Sequence, residues 1–503
     1  MNPSDPLSAA PIDIPQALSR TVRAGAAMAI AAALSGCVSF SSDGGISVAA
    51  SIAAQELKKD TVVIHAPEDA SSARDRVEHL LKRPLTAEAA VQIALLNNRG
   101  LQAAYNELGI AEAMLVQSSL PPNPSFSFSR ISGSLESELE GTIAANILAL
   151  ATLPARAEIA ADRFRAVQLR AAEETLRVAA EARRNYYKGV AARELVSFLA
   201  QANSAAEAAA KLARGLGETG AMNKLDQARD QVFHADVTAQ LATARQRASG
   251  EREQLIRSLG LWGGDLDFGL PNTLAALPAR PQTLPMVEQD AISRRIDLQI
   301  ARIELEALAK SGGLTNATRF VNLFQLSGIY KDTRESVGTE NVQFRDFGAG
   351  ATVEIPIFDF GEVRVRQAAQ TYMRAVNRLA EMAVNARSQA RDAYRVYRST
   401  FDIASHYQRE ILPLRKIISD ETLLRYNAML IDVFPLIDEA RRRILATTTA
   451  IEAKRDFWIA KTDLQVAIIG GGGVGSGVER SGLATMRASG ADGLMANSNG
   501  DRP

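Results

Sequence analysis

The chain carries the same plan twice, and a duplicated half of this size constrains its architecture more than any single motif. The segment Leu212 to Arg229 aligns without a gap on Leu424 to Arg441, with Leu225-Asp226-Gln227-Ala228-Arg229 over Ile437-Asp438-Glu439-Ala440-Arg441. Upstream, Leu101-Gln102 with Ala104, Glu107 and Leu108 aligns on Leu298-Gln299 with Ala301, Glu304 and Leu305. The matches keep their order and lie roughly 200 residues apart, too long a period for a solenoid repeat and suited to two copies of one large supersecondary unit.

Each copy has the same punctuation. Thr86 is an N-cap for a helix whose apolar positions, Ala90, Val91, Ala94 and Leu95, recur at helical spacing. A second helix runs from Leu101 to about Ser118, and Pro121-Pro122-Asn123-Pro124 stops it. Ser125 to Ser129 then alternates serine with phenylalanine, the period of a strand. The acidic stretch to Glu140 reads as a loop, and Thr142 to Leu150 as the returning strand. From Ala157 to about Ala213 a seam of Leu169, Ala172, Leu176, Ala179, Ala182, Tyr186 and Val190 predicts a helix of about 85 Å with small packing residues. Gly215, Gly217 and Gly220 make a turn, and a return helix spans Asn223 to Leu259.

The second half predicts a helix from Met286 to Lys310 broken at Gly312-Gly313, and strands over 320–330 and 342–357 with a loop from Lys331 to Asn341. Phe320, Asn322, Phe324, Leu326 and Tyr330 share one strand face, and Phe347, Ala349, Ala351, Val353 and Ile355 share another. A seam from Val376 to Tyr397, a turn near 426–435 and a last helix to about Ile469 complete the copy.

Four strands that alternate apolar and polar residues cannot close on themselves, and open edges cannot face lipid. Three chains would supply twelve strands, enough for one barrel, with their long helices packed as a tube. The expected fold class is thus an α+β membrane protein: a trimeric α-barrel of long helices, with four strands per chain in a shared 12-stranded transmembrane β-barrel.

The N-terminus points to the same compartment. Arg20 and Arg23 precede an apolar run from Ala24 to Leu34, and Leu34-Ser35-Gly36-Cys37 follows. That is a signal peptide, and the run is shorter than the ~20 residues of a spanning helix. Leu-Ser-Gly-Cys resembles a bacterial lipobox, which implies cleavage before Cys37 and lipid on it. Val38 and Ser39 lack an inner-membrane retention aspartate, which implies sorting to the outer membrane. The domain plan is 1–36 signal peptide, 37–84 lipidated tether, 85–270 first repeat, 271–285 linker, 286–468 second repeat and 469–503 Gly/Ser-rich tail.

Other chemistry finds little support. With 57 basic and 57 acidic residues the chain is not built for nucleic acid. Gly470 to Gly475 fits the spacing of a dinucleotide loop, but no acid inside a βαβ unit follows it, so it reads as tail. His65, His79, His234 and His406 are scattered, and Cys37 is the sole cysteine, so neither a metal site nor a disulfide is expected. No catalytic arrangement of Ser, His, Cys or acids is legible, so no enzyme and no cofactor beyond the covalent lipid are expected. The competing reading is a lipid-anchored periplasmic coiled-coil scaffold or adaptor without a pore; two helical hairpins and two strand pairs favour the channel.

These residues resemble the TolC family of outer-membrane efflux channels. The marks are the lipobox, Leu85-Thr86-x-Glu88-x-Ala90, Leu120-Pro121-Pro122-Asn123-Pro124, Pro356-Ile357-Phe358-Asp359-x-Gly361 with Arg364, and the two Asp-x-Ala-Arg segments, over about residues 20 to 468. The resemblance implies a homotrimer in outer-membrane lipid, a periplasmic adaptor, an inner-membrane pump that supplies the energy, and no chemistry by this subunit. It implies gating and adaptor docking at the helical tips, Gly215 to Asn223 and Tyr426 to Phe434, with Gly215, Glu218, Gly220, Asp226, Tyr426, Asp432 and Asp438 as the residues concerned. Tyr426 and Asp438 match a gate tyrosine and acid. Pro435 stands where some members carry a second acid, leaving Asp432 and Glu218 as its replacements. Cargo is open: metals, drugs, dyes and small organic acids all fit.

Overall fold

The computed structural model describes residues 40–64, 66–133, 136–337 and 340–471, without the side chains of 336, 337, 340 and 341. Cys37, the signal peptide, His65 and most of the 469–503 tail lie outside these residues. The described helices are α1 (Ser47–Ile52), α2 (Pro67–Leu81), α3 (Ala87–Asn97), α4 (Arg99–Ser119), α5 (Ile147–Ala151), α6 (Leu153–Glu218), α7 (Lys224–Leu259), α8 (Val287–Arg294), α9 (Ile296–Ala317), α10 (Glu362–His406), α11 (Leu412–Asn427) and α12 (Val433–Ile469). The strands are β1 (Ser125–Ser132), β2 (Glu136–Asn146), β3 (Leu323–Val337) and β4 (Glu340–Glu354). The described residues form two compact units, one within 112–161 and 310–369, the other within 43–111, 162–309 and 370–471.

In the first unit the strands form one antiparallel sheet in the order β1-β2-β3-β4. The two hairpins, one from each half, meet along β2 and β3, with Gly141 opposite Tyr330 and Ile143 opposite Gly328. The outer edges of β1 and β4 pair with no strand among the described residues.

The second unit is helical, and its core explains the duplication. Thr86 caps α3, its Oγ1 accepting from the Ala89 amide at 3.1 Å. Each copy then breaks its first helix three residues before the repeated Leu-Gln pair, at Asn98 (ψ 114°) and at Arg295 (ψ 125°). Both breaking residues donate to the last turn of their copy's closing helix: Asn98 Nδ2 to the Ser258 carbonyl at 3.1 Å, Arg295 Nη1 to the Ala467 carbonyl at 3.4 Å. One joint has been built twice. Around it pack Leu85, Ile93, Leu96, Leu101, Leu255 and Leu259, all buried. Phe457 is 0% exposed and sits against Tyr397, Phe401 and Trp458 at centroid distances of 5.6, 5.6 and 5.2 Å.

Several boundaries differ from the expectation. The helix from Ile296 runs through Gly312-Gly313 to Ala317; two glycines cost a helix about 2 kcal/mol, which a 22-residue segment absorbs. The 37–84 segment, read as a polar tether, contains α1 and α2, and Ala49, Ala53, Leu57, Ala73 and Val77 are buried. Its polar composition reflects helices that bury one narrow stripe each. The acidic stretch Glu136 to Glu140 and most of the charged stretch from Lys331, both read as loops, are strand.

Candidate channel surfaces: the sheet faces and the helical tips

Residues directly opposite in an antiparallel ladder share a face, so the register sorts every strand residue. One face runs in rows across all four strands. Phe126, Ile143, Gly328 and Ala349 form one row, and Phe128, Gly141, Tyr330 and Phe347 the next. Ala145, Leu326 and Ala351 form a row below them, and Phe324 with Val353 the last. This face is apolar and largely solvent-exposed in the single chain. The Phe128 ring lies over Gly141, and Tyr330 packs on Phe347 at 5.2 Å.

The apolar run ends abruptly in one direction. The next row is Arg130, Leu139, Asp332 and Arg345. Asp332 accepts from Tyr330 Oη at 3.3 Å and Gln343 Nε2 at 2.6 Å, with Arg334 and Arg345 each 3.6 Å away.

The opposite face is mixed: Ser125, Ser127 and Ser129 on β1, Glu136, Glu138, Glu140 and Thr142 on β2, Gln325, Ser327 and Lys331 on β3, and Asp346 and Thr352 on β4 are interspersed with Ile131, Ala144, Leu323, Ile329, Val342 and Phe344. Acids dominate its charge, and Lys331 pairs with Glu138 at 2.9 Å. Charge on this face is why the strands read as loops: a strand face left open to water tolerates glutamates that a core-facing strand does not.

At the helical tips both turns close by the same hydrogen-bond motif. In the first, the Ala221 amide donates to the Leu216 carbonyl at 2.8 Å, with Gly220 at φ +76°. In the second, Leu430 donates to Arg425 at 2.9 Å, and Met429 takes the left-handed position at φ +57°. The caps that follow differ. Asn223 Oδ1 accepts from the Asp226 amide at 2.9 Å, its Nδ2 donates to Asp226 Oδ2 at 2.6 Å, and Arg229 holds Asp226 Oδ1 at 3.2 Å. Asp432 is the N-cap of α12 but makes no side-chain cap bond.

Counting from the caps, Asn223 corresponds to Asp432, so Asp226 corresponds to Pro435 and not to Asp438. The gapless sequence alignment is therefore one helical turn out of step at the tips. Asp438 lies a turn deeper and pairs with Arg442 at 2.9 Å. Asp438 and Arg229 line a groove of about 390 Å³ between α7 and α12, with Leu225, Val232, Phe434 and Arg441. Arg229 lies 5.0 Å from the Phe434 ring, and Arg441 pairs with Asp236 at 3.0 Å. Gly215, Glu218, Gly220, Tyr426 and Asp432 do not line this groove; Tyr426 is half-buried against the helical core.

The cap-relative register exposes a pair the sequence reading missed. Asp230 and Glu439 occupy the same position seven residues after their caps, and both are buried, at 4% and 7% exposure. Glu439 Oε2 accepts from Arg415 Nη1 at 3.0 Å, while its other oxygen has no partner. Burial, reinforced by the charge of Asp226, raises the Asp230 carboxyl above its ordinary range. The signal in sequence is an acid at matched spacing in a helix with larger buried apolar residues, Phe233 and Val237 in one copy and Ile437 and Ile444 in the other, masked by the misaligned tips.

No helix among the described residues is long and apolar enough to cross a membrane, and they contain no group of three or more His, Cys, Asp or Glu suited to a metal ion. No protein-family model matches the sequence. The chain is 24% identical over 290 residues to the cobalt-zinc-cadmium resistance protein CzcC of Cupriavidus metallidurans, spanning 55% of this chain and 64% of that protein's length. In structure it is similar to the Campylobacter jejuni CmeC outer membrane channel, with a TM-score of 0.66 at 16% identity over 77% of this chain and 86% of that one. It is also similar to CusC, described for its transmembrane channel formation, with a TM-score of 0.64 at 16% identity over 76% of this chain and 91% of that one. By these structural likenesses the chain has the fold of the TolC-like outer-membrane channels.

Proposed function

We propose that this chain is the outer-membrane channel subunit of a tripartite efflux system, a passive exit duct that does no chemistry of its own. The observation that carries this reading is the sheet: one face is apolar, the other mixed and rich in acids, and both outer edges lack a partner among the described residues. Three copies joined edge to edge as a 12-stranded barrel satisfy the edges, turn the apolar face to lipid and give the acid-rich face water. A pore-free scaffold leaves the apolar face without a role.

An inner-membrane pump and a periplasmic adaptor are the partners, with the adaptor meeting the helical tips. Lipid on Cys37 adds a second attachment, since one acyl group alone holds a membrane only marginally. Asp432, exposed and uncommitted to its cap, lines the closed end as three copies.

The cargo is cationic, with divalent metal ions the favoured class. The acids of the mixed face support this, as does the metal-resistance name of the Cupriavidus relative. The test is conductance of the purified protein in planar bilayers. Discrete steps with a cation-selective reversal potential are expected, and replacing Glu136, Glu138 and Glu140 by Gln should move that potential toward zero. Absence of steps from inserted protein, or anion selectivity, would refute the reading. Unchanged conductance and cation preference in Asp432→Ala would remove Asp432 from the gate.

A further inference from the structure

We propose that the turn Ile355–Phe360, with Phe320, is a membrane anchor that completes the lower edge of the lipid-facing belt; this rests on the membrane reading above. The strands alone are too short for the task. From the Tyr330–Phe347 row to the Phe324–Val353 row the apolar face covers six residue steps. At about 3.4 Å per residue and a tilt of about 40°, that is about 16 Å of height, against an apolar band of about 25 Å on transmembrane barrels. The belt cannot grow past Tyr330, because the next row holds Arg130, Asp332 and Arg345. The missing ~9 Å, about three to four further residues, falls beyond Val353 and Phe324.

The residues there are apolar and exposed. Ile355, Ile357, Phe360 and Phe320 are all open to solvent in the chain, and Phe358 is 98% exposed. No soluble turn gains from presenting so much apolar surface. With Phe128, Tyr330 and Phe347 at the other limit, the sheet then carries an aromatic row at each boundary, the arrangement membrane barrels use at their two interfaces.

The turn is built to hold these side chains outward. Phe360 donates its amide to the Pro356 carbonyl at 2.7 Å, and Asp359 Oδ1 accepts from the Gly361 amide at 3.1 Å. Gly361, at φ +74°, packs so closely on the Arg319 carbonyl that a Cβ would collide with it. Arg364 donates to that same carbonyl at 3.2 Å, and the Arg319 guanidinium lies 4.4 Å over the Phe320 ring. Arginines bordering exposed aromatics suit the headgroup layer, where long cationic side chains reach the polar region while their stems stay apolar.

The test places an environment-sensitive nitrobenzoxadiazole label on Phe358→Cys, and separately on Ile357→Cys, in a Cys37→Ser background. The protein is reconstituted in phosphatidylcholine vesicles carrying nitroxide lipids. Labels on Phe128→Cys and Ser127→Cys report the two sheet faces. The anchor predicts that labels at 357 and 358 are quenched at least about twofold more than at 127, most strongly by nitroxide near the headgroup, as an interfacial position requires. Quenching at 128 without quenching at 357 or 358 overturns the anchor and leaves the barrel reading intact; a blue-shifted but unquenched label would then mean that a neighbouring copy covers the turn. Equal quenching at 127 and 128 overturns the anchor together with the membrane reading.

Discussion

Leu326 and Ser327 are adjacent in β3 and, by the register, lie on opposite faces of the sheet, which the channel reading assigns to lipid and to water. Leu326 shares its row with Ala145 and Ala351, and lies four residues from Tyr330. Four residues at about 3.4 Å and a tilt of about 40° put it about 10 Å inside the aromatic boundary, close to the middle of a band of about 25 Å. An arginine on the lipid face costs about 2 to 4 kcal/mol near the midplane, per chain, while a lumen-facing arginine costs little. Leu326→Arg should therefore destabilise the inserted protein by about 2 to 4 kcal/mol per chain, and Ser327→Arg by less than about 1 kcal/mol. Ser327→Arg should instead weaken cation preference. The assay is urea titration of protein folded into vesicles, followed by heat-modifiable migration, with conductance measured on the same variants. If Leu326→Arg costs no more than Ser327→Arg, the assignment of faces is wrong, and the anchor argument falls with it.

Other consequences are local to each unit. Phe457→Ala, which empties a fully buried aromatic site, should cost about 3 to 5 kcal/mol in a chemical denaturation series, with loss of Trp458 near-ultraviolet ellipticity. Gly361→Ala meets both a left-handed backbone and the Arg319 carbonyl, and should cost at least about 1 to 2 kcal/mol, read as a lowered urea midpoint. Asp230 carries a raised carboxyl pKa, so its ionisation penalises the folded state. That penalty is absent below the ordinary carboxylate range and grows as pH rises through the raised value. Asp230→Asn should therefore match the parent in acid and melt higher at neutral pH; a variant that melts lower at neutral pH would mean the carboxylate has a stabilising partner.

Much of this architecture is legible in sequence because two periods carry it. The even-numbered run Phe320 to Tyr330 and the odd-numbered run Phe347 to Ile355 predicted two strand faces, and the register joins them into one. The alanine seams predicted the long helices, and Gly220 the first tip. What escaped was charge placed where strand and helix tolerate it for reasons outside the segment. Glu136 to Glu140 and Lys331 to Glu335 read as loops because one strand sees only its own polarity, not the water beyond it. Gly312-Gly313 read as a break because propensity is local and helix length is not. The tip acids were paired wrongly because a gapless match follows similar letters, while Asn223 and Asp432 set the true start of each helix. Asp230 and Glu439 were hidden behind that slip.

The most direct test of the channel reading is electron microscopy of the full-length protein extracted from outer membranes in mild detergent. The account predicts particles with three-fold symmetry and a continuous hollow axis, a barrel at one end and a helical tube at the other. A compact monomer, or a solid rod without a central passage, would contradict it.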